Sequence, residues 1–419
     1  MKLGIITDMH LGLVQYGLKE REQDFYDQYL RAIDTFVNAE VDVVIMGGDV
    51  FDKARPSPKA LEVFADGLSK LIQNGIKICN IIGNHAMVQA PGFVTADEFI
   101  GSVASFSEDY TLLDVDNYFE TDDVLIMGLP YHYNFETDVL CDTIYHMNKD
   151  AGQIDKPSIL VLHQSFKEFC GFDGEELSIN DIETDNFDLI ICGHIHEKKI
   201  TQLDSGCVFL QPGSTERSSV AEARDEETNG KGIFLLDTDV AFNKDDTLKQ
   251  IANAFYRLRS NRKFLIADMY MSEKDELYDI QQEIESNVSQ FNIEPILFLT
   301  VHDSSGSFSE LMDLTKEMRD ICLTINFKYF DESIQAESKI LRNGDIPTPR
   351  EAVQIALNPL DKDEAQLGLD IYDLLKDGKD ATTLLHKFLD NRMQELTQEE
   401  IRPYHDNELD EIAEYFEKI

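Results

Sequence analysis

The chain has 419 residues, 42% of them hydrophobic, and a formal net charge of −43. That length suggests roughly two or three domains of about 150 residues, and the composition is ordinary for a globular protein with a large core. The values exclude two readings: no apolar run approaches the ~20 residues of a membrane span, and so acidic a chain lacks the overall basic character of a protein that grips DNA unaided.

Met1-Lys2-Leu3-Gly4-Ile5-Ile6-Thr7-Asp8 is too short, and too soon interrupted by charge, for a signal peptide. It reads as a first core strand over 2–7. Residues 41–46 and 76–82 are similar short, branched, apolar runs and read as buried parallel strands. Between them, 21–38 and 58–73 carry helical spacing, with Phe25, Tyr29, Ile33, Phe36 and Val37 on one face and Leu61, Phe64, Leu68, Leu71 and Ile72 on the other helix. This β-α-β-α-β start predicts a layered α/β domain with right-handed crossovers. Strands are expected at 124–127, 159–162, 189–192, 207–210 and 232–236. With little helix between the late ones, they suggest a second, mixed sheet packed on the first.

Composition changes near Asp239. Over 241–345 the pattern predicts a small α/β domain: helix 248–258, strand 264–271, helix 276–288, strand 296–301, helix 310–320 and strand 321–329. Arg257, Arg259, Arg262 and Lys263 form a local basic cluster there, either a solvated helix face or a place to touch DNA. Asn343-Gly344-Asp345-Ile346-Pro347-Thr348-Pro349 looks like a linker, continuing to about residue 380. Over 381–419 two amphipathic stretches, one carrying Leu384, Leu385, Phe388, Leu389 and Leu396 and the other Leu409, Ile412, Ala413, Phe416 and Ile419, predict a helix-loop-helix. Asp406 would cap its second helix. Such a pair can fold back on its own chain or dock a partner. The six cysteines include no Cys-x-x-Cys pair and read as reduced thiols of a cytoplasmic protein.

Five polar clusters each follow a strand-like run: Asp8-Met9-His10, Gly47-Gly48-Asp49, Gly83-Asn84-His85, Leu162-His163-Gln164 and Gly193-His194-Ile195-His196. Each alone is commonplace. At the ends of consecutive strands they can converge on one sheet edge and hold two divalent cations. The glycines before Asp49 allow close backbone approach, and its carboxylate can bridge two cations. The Asn84 amide is a neutral ligand for a site that already has enough negative charge. A two-cation site of this kind is built to break phosphate esters.

This set, in this order, resembles the calcineurin-like metallophosphoesterases. The variants Asp8-Met9-His10-Leu11-Gly12, Gly48-Asp49-Val50-Phe51-Asp52, Gly193-His194-Ile195-His196-Glu197 and Pro212-Gly213-Ser214-Thr215-Glu216-Arg217 are closest to the SbcD-type nuclease subunit of the double-strand-break-repair branch. The resemblance is carried by residues 1–240; beyond them it rests on architecture alone. It implies a layered α-β-β-α metallophosphoesterase sandwich over 1–240, an α/β capping domain over 241–345 and a C-terminal helix pair. It further implies a metal-dependent DNA exonuclease and endonuclease, acting in recombination and repair beside an SMC-like ATPase of the SbcC type that binds 381–419. Homodimerisation through the outer helical layer is common in the family.

Carried over residue by residue, the resemblance gives Asp8, His10 and His196 to one cation and Asn84, His163 and His194 to the other. Asp49 bridges them, and manganese is the family's usual metal. A metal-activated water would attack phosphorus, with His85 stabilising the transition state or protonating the leaving oxygen. Two positions depart. Ala86 stands where the family usually has an aspartate that orients the histidine, which predicts intact metal binding with slower turnover, faster again in Ala86→Asp. Asp52 stands where some members have histidine, a mark of the bacterial branch. Two other readings stay open: a stand-alone phosphatase or small phosphodiesterase, which an acidic surface suits, and a catalytically weakened scaffold, which Ala86 alone supports.

Overall fold

Alternation along the first strand decides what lies on each side of it. In β1 (Lys2–Ile6) Leu3 and Ile5 point to one face and Gly4 and Ile6 to the other. A Cβ on Gly4 would lie 2.5 Å from the Phe36 ring, so glycine lets the helix that carries Phe36 settle directly on the strand. The computed structural model describes residues 1–87, 94–104, 109–133, 136–170, 177–225, 230–242, 246–260, 262–270, 275–291, 293–303, 315–331, 366 and 368–371. Two compact units divide the chain, Met1–Phe330 and Asp331–Ile419.

From β1 the chain runs through α1 (Lys19–Asn38), β2 (Val43–Met46), α2 (Pro58–Gln73), β3 (Lys77–Asn80), α3 (Ala96–Ala104) and β4 (Tyr110–Leu112). Helix α2 starts where the sequence asks for it: the Ser57 hydroxyl accepts from the Ala60 N–H, and Pro58 takes the first helical position. Strands β1 to β4 are parallel neighbours. Next come β5 (Phe119–Glu120), β6 (Leu125–Gly128), α4 (Thr137–Ala151), β7 (Ser158–His163), β8 (Leu189–Gly193), β9 (Lys199–Gln202) and β10 (Val208–Gln211). They form a second six-stranded sheet in the order β5-β6-β7-β8-β10-β9, with antiparallel strands only at its two edges. Leu3, Ile5, Val43 and Ile45 meet Ile126, Ile159, Val161, Leu189 and Leu210 between the sheets. The outer faces are covered by α1 and α2 on one side and α4 on the other. The result is the expected α-β-β-α layering.

After α5 (Val220–Asp225), two expectations change. Strand β11 (Gly232–Asp237) does not extend the second sheet. It pairs antiparallel with β1, from Lys2↔Asp237 to Ile5↔Phe234, and closes the first sheet's free edge. Spacing shows that a strand is buried, not which edge it completes. Beyond α6 (Thr238–Ala241), the helix expected over 248–258 is only α7 (Thr247–Asn253). Residues Phe255–Arg257 form β12, antiparallel to β11, and Phe255 lies 5.2 Å from Phe234, ring to ring. Aromatic residues at a sheet edge outweigh the helical spacing there. The basic cluster therefore shares no helix face, and Arg262 is buried.

Strands β13 (Phe264–Tyr270), β14 (Ile296–Asp303) and β15 (Thr324–Asp331) form a third sheet. Leu265, Met269, Leu297, Leu299 and Val301 pack on Ile284 of α8 (Asp275–Phe291) in a separate core. Helix α9 (Lys316–Arg319) contributes Met318 to it. In the second unit, 368–371 are helical. Apart from these and residue 366, the expected linker lies outside the described residues, as does all of the expected helix pair over 381–419.

A buried ionic network joins the small sheet's first strand to the sandwich. The Arg21 guanidinium lies 2.6 Å from Asp24 and 3.4 Å from Glu216, and Arg217 Nε lies 3.1 Å from Glu216. Just before β13, Arg262 Nε donates to Asp24 Oδ2 at 2.6 Å, and its carbonyl accepts from Arg217 at 2.6 Å. Arg21 and Arg217 both lie over the Phe264 ring, at 4.9 and 4.3 Å. Every charge has a partner, so removing one strands the others in a low-dielectric interior. Arg262→Ala is expected to cost about 3–5 kcal/mol of unfolding free energy, read by urea denaturation. Burial works to raise the Glu216 carboxyl, but Arg217 and Arg21 outweigh it and hold it at about 2, below its usual 4.5. A depressed acid stabilises above its unfolded value and loses that stabilisation as pH falls from about 4.5 towards 2. Glu216→Gln should therefore be less stable than wild type at pH 7, with the gap narrowing at pH 3.

Candidate metal centre

Loops leaving the C-terminal ends of β1, β2 and β3 in one sheet meet the ends of β7 and β8 in the other. Beyond β1 the parallel ladder continues into the loops: Asp8 N–H donates to the Gly48 carbonyl at 3.2 Å and His10 N–H to the Asp49 carbonyl at 3.0 Å. The turns are tight enough that Asp8, His10, Asp49 and His194 all adopt left-handed backbone, with φ of 51°, 45°, 46° and 90°. Such conformations are uncommon for non-glycine residues and cluster at functional sites. Two glycines make room. A Cβ on Gly48, whose φ is +93°, would sit 2.4 Å from His163 Nδ1, and one on Gly83 would sit 2.2 Å from Asp49 Oδ1.

All seven expected ligands come together. Asp8, His10 and His196 form one group, and Asp49, His163 and His194 a second; within each, the donor atoms lie within 4.8 Å of one another. Asn84 joins the second group, its Oδ1 lying 3.0 Å from His163 Nε2 and 2.9 Å from His194 Nδ1. Asp49 Oδ2 is 3.2 Å from His163 Nε2 and 4.0 Å from His10 Nε2, so it stands between the groups. His85 is exposed beside them, its Nε2 3.9 Å from Asp49 Oδ2.

The donors fit divalent cations. His10 Nε2 and His196 Nε2 face each other at 2.9 Å, where at most one proton fits between two lone pairs. Asp8 Oδ2 and His10 Nδ1 are buried with no hydrogen-bond partner, an arrangement that native proteins avoid unless a site requires it. Carboxylate, amide and imidazole donors together suit first-row divalent ions.

Electrostatics show the strain of gathering these groups. Burial and the neighbouring His196 push the His10 imidazole well below its usual range, and burial with His163 takes His194 to about 4. Burial would lower His163 too, but the Asp49 carboxylate outweighs it and holds His163 at about 9. Asp49 is correspondingly held below the usual carboxylate range, His163 outweighing its burial, while burial raises Asp8.

A shell of further groups fixes the ring orientations. The Gly47 carbonyl lies 2.8 Å from His163 Nδ1, and the Asp8 carboxylate accepts from the His194 N–H at 2.9 Å. Ser218 Oγ and Glu222 Oε1 lie 3.1 and 3.3 Å from His196 Nδ1. Sequence reasoning missed Ser218 and Glu222: a glutamate in an ordinary short helix, among 80 acidic residues, carries no signal. Asp52 has a larger role than branch identity. Its carbonyl lies 2.6 Å from His85 Nδ1, and its side chain groups with His10 and His85. Ala86 is buried, and Asp52 supplies the contact that orients His85.

Cations held by these buried donors stabilise only the folded chain. Manganese at about a hundred times its dissociation constant should add about 2.7 kcal/mol to unfolding, raising Tm, and a chelator should reverse the shift. His10→Ala is expected to reduce the manganese-dependent shift, read by differential scanning calorimetry.

Residues 1–198 match the family model for calcineurin-like phosphoesterases. Over 338 residues the chain is 28% identical to the DNA double-strand break repair protein Mre11 of Methanococcus maripaludis, covering 79% of this chain and 88% of that protein. Its likeness to the Mre11 protein of Saccharolobus solfataricus is similar, 27% over 337 residues, covering 79% and 82% of the two.

Proposed function

The chain is a calcineurin-like phosphoesterase of the Mre11/SbcD type and a metal-dependent phosphodiesterase, and from that premise we propose that it is the nuclease subunit of a DNA end-processing complex. The observation that carries this reading is the grouping of six donors around Asp49 with an exposed imidazole at their open side. In our reading Asp8, His10 and His196 would hold one cation and Asn84, His163 and His194 the other, with Asp49 shared between them. Two divalent cations, manganese in this proposal, supply the polarisation of a bound phosphate and the activation of a water as nucleophile.

The side chains do the rest. His85 needs no place among the ligands. With Nδ1 donating to the Asp52 carbonyl, the doubly protonated ring would present Nε2–H to a phosphate oxygen or to the leaving oxygen. The buried donors exclude bulk water from one side of the site, and His85 marks the side from which DNA enters. Residues 264–330 of the small sheet belong to the same compact unit, which supports a substrate-shaping role for it in this proposal.

The net charge of −43 makes an isolated chain a poor DNA binder. An SMC-like ATPase of the SbcC type, docked on 381–419, would supply the missing basic surface and couple ATP hydrolysis to DNA access. A homodimer of the nuclease subunit, through the outer helices, completes the cytoplasmic assembly we propose. The same acidity favours one competing reading, a stand-alone phosphodiesterase for small substrates.

His85→Asn should lower the rate of manganese-dependent DNA cleavage by about 10²–10⁴-fold while leaving manganese affinity unchanged. Deleting 381–419 should abolish capture of the ATPase and spare cleavage of single-stranded DNA. Hydrolysis of a chromogenic phosphodiester, with no cleavage of DNA even beside the ATPase, would establish the competing reading instead.

A further inference from the structure

Beyond the residues matched by the family model, Glu222 and Lys231 form a buried pair behind His196. Lys231 Nζ lies 2.5 Å from Glu222 Oε2 and 2.8 Å from both the His196 carbonyl and Ser214 Oγ. The lysine therefore holds the main chain of His196 and the carboxylate behind its ring at once. Glu222 Oε1 accepts from Ser218 Oγ at 2.5 Å and lies 3.3 Å from His196 Nδ1. Lys231 is 7% exposed, and the Glu222 side chain 14%.

A carboxylate on one imidazole nitrogen decides what the other can do. With Nδ1 donating to Glu222 or Ser218, the His196 proton is fixed on that side, and Nε2 presents a lone pair. That lone pair points to where His10 Nε2 lies, 2.9 Å away. Asn84, His163 and His194 have no comparable carboxylate behind them among the described residues: His163 Nδ1 rests on the Gly47 carbonyl, and His194 Nδ1 faces Asn84. The two halves of the centre are thus supported differently.

We propose that Glu222, held by Lys231, is a positioning residue for one half of the centre only, setting the affinity for the cation shared by Asp8, His10 and His196. This rests on the two-cation reading of the site. Lys231 balances the Glu222 charge, so the device orients His196 with little change in the net charge around the cation.

The test is calorimetric titration of the full chain with manganese alone. Wild type is expected to take up two cations. Glu222→Leu combined with Lys231→Met removes both charges and keeps apolar bulk, so neither partner is left stranded. In that variant one uptake step should weaken roughly 10–100-fold while the other keeps its wild-type affinity. The weakened step should be the one lost in His196→Ala and kept in Asn84→Ala. Glu222→Gln retains an acceptor for His196 and should fall between wild type and the double variant; it also serves as the measurement if the double variant does not fold. Two wild-type affinities in the folded double variant, or in Glu222→Gln where only that variant folds, overturn the inference and leave the two-cation reading standing. No manganese uptake by wild type overturns both.

Discussion

Two carboxylates, four imidazoles and one amide share a largely buried space open on one side, and most of the structure around the centre serves to keep them there. In water each group would be solvated separately. Here burial opposes charge on each carboxylate and imidazole, and neighbouring imidazoles oppose one another's protonation. Left-handed backbone at Asp8, His10, Asp49 and His194 adds local strain of order 1–3 kcal/mol per residue. None of this is stable as an isolated loop. It persists because the strands behind the loops are locked on both faces: β1 to β3 and β7 to β8 are parallel, fully paired and buried between apolar layers. The stability of the sandwich sustains the cost of the site, and bound cations would offset part of it.

The segment from Gly213 to Glu222 ties this centre to the rest of the first unit. Its start is held by Thr7, whose hydroxyl donates to the Gly213 carbonyl at 2.9 Å, one residue before Asp8. Glu216 and Arg217 then enter the ionic network that contains Arg262 and lies against Phe264 of the small sheet. One residue later, Ser218 reaches His196. The same short stretch therefore anchors the small sheet's entry and backs a proposed metal ligand. Changes that loosen the network should be felt at His196 before they are felt at His163, whose support comes from the main chain of Gly47.

Much of this could be read from residue order. Strand-end placement of Asp8, Asp49, Asn84, His163 and His194 is visible because branched apolar runs end in a polar residue, after glycine at Asp49, Asn84 and His194, and the layered α/β class follows from the same alternation. The seven residues expected to be ligands lie together, with Asp52 and His85 beside them. What spacing could not show was partnership between distant segments. Gly232–Asp237 looks like any buried strand; that it pairs with β1 depends on an open edge 230 residues away in the chain. Arg262 looked like part of a basic cluster because composition records charge but not whether Asp24 is waiting for it. Glu222 was invisible for the same reason. Alanine at 86 removes the family's orienting carboxylate beside His85; the Asp52 carbonyl lies 2.6 Å from its Nδ1 instead, and carbonyls leave no mark in a sequence.

The fate of the basic side chains sharpens the question of how so acidic a chain meets DNA. There are 37 lysines and arginines against 80 acidic residues. Arg21, Arg217, Arg262 and Lys231 are buried and bound to carboxylates or carbonyls, so they contribute little to any surface field. These four deepen the imbalance of a chain whose formal net charge is already −43. Two sources of positive charge remain in the proposed assembly. Bound cations act only within a Debye length, about 8 Å at physiological salt, which suffices to hold a phosphate already at the centre but not to draw a duplex towards it. In the proposed assembly, long-range attraction would come from the second protein, and without one the acidity suits small substrates better than a duplex.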